Sequence, residues 1–311
     1  MKIKSKKYFK SFLLIGFACL ATTLNAQSKE NKFLGLKEMR CALSSEFCFG
    51  DKSGFTPANA FTELLSTQNN NYLINFEGVF SKKKTTETSF IVGIGCTTMS
   101  FKTNYKTPSY SFSTNQDVDG DTYIREYQNL NIHQETSGHS FIFAIAFRER
   151  WRLSKSINMY GDLGVNCMVS PSLNANKTDG SAKVTGLYNQ YNDISLDKDW
   201  GYNGFGSVDL SNATNKDVDV NSLVPISFIR LGFELEMTKA CNIIFGATYQ
   251  RALKNLIKQT DSSNSVNTGN AIIYNTIANM ESTENIRNLL GSYRESKFTG
   301  MMVNLGLSIR F

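Results

Sequence analysis

The chain is poor in the side chains from which most soluble chemistry is built. It has only two histidines, His133 and His139, and no CxxC pair or His cluster with the spacing of a metal site. Of its six cysteines, Cys19 falls in an N-terminal leader, which leaves Cys41, Cys48, Cys96, Cys167 and Cys241. An odd number at irregular spacing excludes a regular disulfide framework. Cys41 and Cys48, if both lie on one strand, point to opposite faces about 23 Å apart, too far to bridge. Excess charge is missing as well. The formal +6 belongs to the first 26 residues, which carry five lysines and no acid; without them 28 basic residues face 27 acidic ones. Nucleic-acid binding loses its first requirement, a basic surplus. Nor is there an uninterrupted apolar run of the ~20 residues that a membrane-spanning helix needs.

The start of the chain is MKIKSKKYFKSFLLIGFACLATTLNAQ, with Lys2, Lys4, Lys6, Lys7 and Lys10 ahead of the apolar run Phe12 to Leu20. It reads as a secretory signal peptide, residues 1–26, cut after Ala26, ahead of one domain over 27–311. A lipid-modified Cys19 is disfavoured because Gly16, Phe17 and Ala18 make a poor lipobox, with an aromatic beside the small pair.

The most informative pattern is at the other end. In FTGMMVNLGLSIRF, residues 298–311, Thr299, Met301, Val303, Leu305, Leu307, Ile309 and Phe311 alternate with Gly300, Met302, Asn304, Gly306, Ser308 and Arg310. One apolar and one small or polar side, at a strict period of two, fits a barrel wall between lipid and lumen. Three further pairs of alternating segments are joined by short polar turns: 72–80 with 89–101, 140–153 with 157–169, and 224–237 with 242–253. That makes seven strands. An antiparallel bacterial barrel closes on an even number, and an open edge in lipid would leave backbone groups unsatisfied. The eighth is therefore sought in 36–49, where Met39, Cys41, Leu43, Phe47 and Phe49 share a side although Lys37 and Ser45 interrupt the stripe.

The expected fold is all-β: an eight-stranded antiparallel up-and-down transmembrane β-barrel with long external loops over 51–71, 102–138, 170–223 and 253–297. A soluble lipocalin-like barrel would invert the two faces. The leader, the strand lengths and the charged, glycine-rich second faces favour the membrane form.

With the apolar face turned to lipid, twelve charges enter the lumen: Glu38, Arg40 and Glu46; Glu77; Arg148, Arg150 and Arg152; Asp162; Arg230, Glu234 and Glu236; and Arg310. Six are acidic and six basic. The interior of an eight-stranded barrel is just wide enough for side chains to fill, and buried charges persist only when paired. A salt-bridged plug is the expectation, with a gated narrow channel as the alternative.

The loops lean acidic. Asp117-Val118-Asp119-Gly120-Asp121 has the alternating carboxylates of a calcium loop, but its Gly is fourth rather than sixth and Gln128 stands where a bidentate Glu belongs. A solvated turn fits better. Helical character is expected around Thr56-Pro57-Ala58 with Phe61, Leu64 and Leu65, and around Ile286, Leu289, Leu290 and Tyr293. These two segments flank the first and last strands, and the expectation is that they pack together as a lid. His139-Ser140 and the nearby Glu135 are sequence neighbours and not a triad, because adjacent strand residues face opposite ways.

The leader ending LNAQ, the hairpins SFIFAIAFRERWRLSKSINMYGDLGVNCMV and ISFIRLGFELEMTKACNIIFGATYQ, and the terminal VNLGLSIRF together resemble the outer-membrane β-barrel domain family of Bacteroidota, similar to OmpA- and OmpX-type barrels and including PorT-like proteins. The resemblance implies an outer-membrane location, contact with outer-membrane lipid, and Phe311 as the terminal aromatic read by the barrel-assembly machinery. It carries over no catalytic residue and no cofactor. The expected role is non-enzymatic: surface loops for binding or adhesion to an extracellular ligand or envelope protein, over a filled lumen. A small-solute or ion channel and an accessory subunit of a secretion or envelope-assembly complex are the alternatives.

Overall fold

The computed structural model describes residues 36–51, 54–57, 60–117, 119–197, 205–210, 214–216, 218–258, 273–275, 284–287 and 289–310; the expected signal peptide over 1–26 and the expected assembly signal Phe311 lie outside them. Eight long strands form the framework: β1 (Glu38–Asp51), β2 (Thr62–Lys82), β3 (Thr86–Gln116), β4 (Thr122–Arg152), β5 (Ile157–Tyr188), β6 (Leu223–Glu236), β7 (Cys241–Ala252) and β8 (Thr299–Arg310). Each pairs antiparallel with the next, and β8 returns to β1 with Arg40 opposite Arg310 and Asp51 opposite Thr299. The ring is closed through the weakly patterned first strand, so no wall strand is left with an open edge in lipid.

The two faces of the wall are sorted as a membrane barrel requires. Phe141, Phe143, Ile145 and Phe147 on β4 are 53–67% exposed, as are Leu163 on β5, Leu231 on β6, and Met301 and Leu305 on β8 at 56–63%. Their alternate neighbours are buried: Ile142, Ala144, Ala146 and Arg148 on β4, and Met302, Asn304 and Ser308 on β8. In water an exposed band of this size would be untenable; in a bilayer it is the lipid-facing belt, about 25 Å tall in barrels of this kind. Leu305→Arg is accordingly expected to lower the unfolding free energy in lipid vesicles by about 2–4 kcal/mol, as for a cation near the bilayer midplane. Arginine at Lys102, outside the belt, is expected to change it by less than ~0.5 kcal/mol. Urea titration followed by tryptophan fluorescence reads both.

The narrow end is closed by hairpin turns whose sequence explains their geometry. In the β4–β5 turn Ser154 Oγ accepts the backbone N–H groups of Ser156 and Ile157. In the β6–β7 turn Thr238 Oγ1 accepts those of Ala240 and Cys241. Both are hydroxyl-capped turns, in which a side chain stands in for the missing ladder partner.

The opposite end differs from the expectation of long loops. Much of 62–71, 102–138 and 170–188 is strand: β3 and β4 each run 31 residues and meet in a tight turn over Asp117–Asp121, with Gly120 at φ +86°. The hydropathy pattern fades there for a physical reason. Beyond His139 the outer face of β4 meets water, not lipid, and exposes His133 and Glu135, so only the inner stripe stays apolar. Bulges at Asn129 (φ +53°) and Ser170 (φ +48°) also break the period. From His139 to Thr122, β4 rises roughly 55 Å along its own axis. The raised sheet has its own core, in which Tyr105, Tyr127, Leu130, Ile132, Ala182 and Val184 pack against Leu210 and Leu289. Its β5 edge is covered by the short strands Ile194–Leu196 and Gly206–Asp209.

The two segments expected to be helical are not. Phe55–Pro57 and Tyr293–Ser296 are short strands paired with each other, Leu64 and Leu65 belong to β2, Ile286 lies in the strand Glu284–Arg287, and Leu289–Ser292 is one 3-10 turn. The expected contact between the two segments is present, made by strands. Ala58 lies outside the described residues.

Candidate functional site: a doubly sealed lumen

Strand register assembles the interior charges. Arg148 of β4 stands opposite Asp162 of β5, and Arg230 of β6 stands opposite the same aspartate. Arg40 of β1 is opposite Glu77 of β2, and Glu87 of β3 is opposite Arg150 of β4. Cross-strand neighbours lie about 4.5–5.5 Å apart at Cβ, so each pairing needs no reach from its partners.

The result is a continuous chain of ion pairs across the barrel. Arg148 donates from Nε and Nη2 to the two Asp162 oxygens at 2.6 and 2.8 Å, and from Nη1 to Glu234 at 3.1 Å. Arg150 takes Glu234 with Nε and Nη2 (2.8 and 2.9 Å), Glu77 with both terminal nitrogens, and Glu87 at 2.9 Å. Arg230 links Asp162 (2.9 Å) to Glu46 and donates to Thr248 Oγ1 at 3.0 Å. Asn71 and Asn304 then donate to the Glu46 carboxylate at 2.9 and 3.3 Å. The arginines Arg40, Arg148, Arg150 and Arg230 and the carboxylates Glu46, Glu77, Asp162 and Glu234 are all buried, four charges of each sign. Planar guanidinium forks suit this sharing, because each offers five donors to several carboxylates at once.

A tyrosine fills the remaining width. The Arg148 guanidinium lies 4.3 Å above the Tyr160 ring, a geometry in which a cation is drawn to the aromatic face. Gly232 and Gly246, directly opposed on β6 and β7, make the slot: a Cβ at Gly232 would come within 2.7 Å of Tyr160 Cζ, and one at Gly246 within 2.8 Å of its hydroxyl. The glycine-rich lumen face is thus a packing device.

The other charges expected in the lumen are placed differently. Glu38, Glu236 and Arg310 sit at its turn-side rim: Glu38 accepts from Arg40 at 2.6 Å and Lys82 at 2.7 Å and pairs with Arg310 at 2.8 Å, while Arg310 reaches Glu236 at 3.9 Å. Arg152 is outside the network; it is exposed and donates to the Ser154 and Lys155 carbonyls at 3.2 and 3.4 Å, because β4 ends there and curls into its turn. Glu87 and Lys82 belong to the network although the expected strand boundaries left them in a turn. β3 begins at Thr86, three residues before the expected start, and so takes in Glu87.

A second, apolar layer lies above the charges. Phe55 packs on Phe101, Phe298 and Tyr293 at ring centroid distances of 5.7, 5.7 and 6.0 Å. Leu73, Met99, Ile142, Met168, Val224, Leu256 and Ile257 complete the cluster. Three connecting segments fold inward to supply it, tied by Ala252 N–H to Phe298 C=O (2.6 Å), Leu256 N–H to Ser296 C=O (2.8 Å) and Lys297 N–H to Gly54 C=O (2.7 Å). The charged layer leaves a cavity of only about 10 Å³ at its centre, space for about one water.

At the raised tip, Asp117 Oδ1 accepts the Asp119 and Asp121 amides, while its Oδ2 accepts the Tyr188 hydroxyl at 3.1 Å; Tyr191 donates to Asp121 at 2.7 Å. The aspartates close a turn. Burial and the Asp117 carboxylate push the Tyr188 hydroxyl above its usual range, and the bond to Asp121 raises Tyr191. Both histidines are exposed on the outer face, and among the described residues neither imidazole bonds a serine or a carboxylate.

Closed ring, lipid-facing belt and polar, filled interior define a membrane-spanning β-barrel of the outer-membrane kind, and an exterior of this type belongs in the outer membrane. No family model matches the chain, and no curated protein matches it in sequence. Solved structures similar to it include the translocator domain of the autotransporter NalP from Neisseria meningitidis (10% identity, 98% of both chains, TM-score 0.25). Others are the outer-membrane channel DcaP of Acinetobacter baumannii (8%, 88% of this chain and 96% of that one, 0.17) and a Pseudomonas aeruginosa FadL homologue (7%, 88% and 90%, 0.17). At such scores they carry no argument about this chain, whose architecture rests on its own strand pairing.

Proposed function

We propose that the protein is a sealed outer-membrane anchor that holds a raised β-sheet above the cell surface for binding or adhesion. One observation carries the reading: the lumen is closed twice, by ion pairs and by an apolar lid, whereas the strands with the most residues to spare continue outward. A conducting barrel needs a connected polar path, and Phe55, Phe101 and Phe298 stand across it. The raised sheet supports a binding role because its core is independent of the barrel and its tip exposes Tyr191, Ile194 and Leu196 beside Asp119 and Asp193. The reading also fits the Bacteroidota outer-membrane family that the sequence resembles, in which the external segments are the variable part. No catalytic role is proposed for either histidine.

The test is a hairpin truncation in which Thr103 is joined to Gln134 through an Asn-Gly turn, a register the native pairing already provides. Cells expressing the shortened protein are expected to lose attachment to surfaces and to one another, while the barrel keeps the heat-dependent gel mobility of a folded one. Unchanged attachment would sink the reading.

A further inference from the structure

We infer that the turn-side mouth of the barrel is a binding site for a phosphate group. The mouth holds a cavity of about 140 Å³, and seven of its twelve lining residues are Lys or Arg, against two glutamates. Part of that charge is spoken for. Inside the barrel four arginines face four carboxylates, so the buried network is neutral. Around the cavity, among the described residues, Lys82, Lys83, Lys84, Arg152 and Arg310 face Glu38, Glu87 and Glu236, a surplus of two positive charges.

The surplus is localised. Lys82 and Arg310 are engaged with Glu38, and Glu87 with Arg40 and Arg150. Among the described residues no carboxylate pairs with Lys83, Lys84 or Arg152. Arg152 spends two nitrogens on turn carbonyls and keeps the remaining donors of its fork. Three unpaired cations from the β2–β3 turn and the end of β4 therefore converge on one rim. Short turns fix the backbone that carries them.

A phosphate matches what is left over. As a monoester it carries about −1.5 to −2 at neutral pH, close to the surplus, and offers three acceptor oxygens for guanidinium and ammonium donors. A carboxylate neutralises one charge and occupies fewer donors. Two sources share this chemistry, a soluble phosphate and the phosphomonoester headgroup of phosphatidic acid in the leaflet at the turn side. The site rests on the geometry of the mouth and not on the adhesive role proposed above.

Full-length protein in zwitterionic detergent at low salt would be titrated with inorganic phosphate by calorimetry. In parallel, nanodiscs of phosphatidylcholine with and without phosphatidic acid would be analysed for retained lipid by native mass spectrometry. Saturable binding of one phosphate, or selective retention of phosphatidic acid, is expected, and either result supports the site and identifies its source. The triple variant Lys83→Gln/Lys84→Gln/Arg152→Gln alters only exposed rim residues and is expected to weaken binding at least tenfold. Lys102→Gln/Lys177→Gln, on the raised sheet, is expected to leave it unchanged. No binding of either probe, or equal binding by the triple variant, overturns the proposal.

Discussion

Replacing Arg150 with methionine is expected to destabilise the barrel by about 3–5 kcal/mol, the cost of breaking a buried ion pair from one side. Among the described residues Arg150 alone touches Glu77, Glu87 and Glu234 together, and the Glu77 and Glu234 side chains are 3% and 0% exposed. Without it three carboxylates share one end of the lumen with Arg40 and Arg148, and at least one must take up a proton or water. Arg150→Lys is expected to recover only part of the loss, since a single ammonium cannot satisfy Glu77 and Glu234 with paired donors. Arg152→Met, two residues along the same strand, is expected to change stability by less than ~0.5 kcal/mol, because Arg152 is exposed and bonded only to turn carbonyls. Urea unfolding in vesicles reads all three. Equal effects of the 150 and 152 substitutions would refute the network.

Phe298→Ala is expected to cost about 3–5 kcal/mol through the cavity it leaves in the apolar lid. The ring is 4% exposed and lies 5.7 Å from both Phe55 and Phe101. It joins the segment before β8 to the segment after β1, so its loss frees both. The Ala252 amide, bonded to the Phe298 carbonyl, and the Leu256 amide, bonded to Ser296, are expected to exchange with deuterium faster in the variant, while amides of the turn-side ion-pair layer keep their protection. Phe143→Ala, on the lipid face of β4, should leave lid amides unaffected. Equal exchange in both variants would show that the lid is not a packed unit.

The wall of the barrel was legible because lipid on one side and a filled lumen on the other force every strand into two unlike stripes. Residues 298–311 show this most plainly. The seam with β1 was legible through a weak alternation from Met39 and, independently, through the need for closure, since Ser45 and Lys37 blur its stripe. Where water replaces lipid outside, the contrast disappears, and 102–138 looks like a loop although Tyr105, Tyr127 and Ile132 keep a buried face. The charged residues of the lumen could be listed from the pattern, but their partners depend on register across eight strands, which single-strand periodicity does not contain. Glu87 was hidden by a strand boundary three residues off. A lid was legible as a contact between the segments after β1 and before β8, but as helices and not as the strands that form it; the third segment, which brings Leu256, was hidden because it is distant in sequence from both.

The sealed lumen is tested most directly by single-channel recording of the full-length protein in planar bilayers, with insertion verified by protease protection of the barrel strands. A flat current is expected at all voltages that the bilayer tolerates. Stepwise conductance that falls when Glu77 is replaced by glutamine would contradict it and make the ion pairs the walls of a pore.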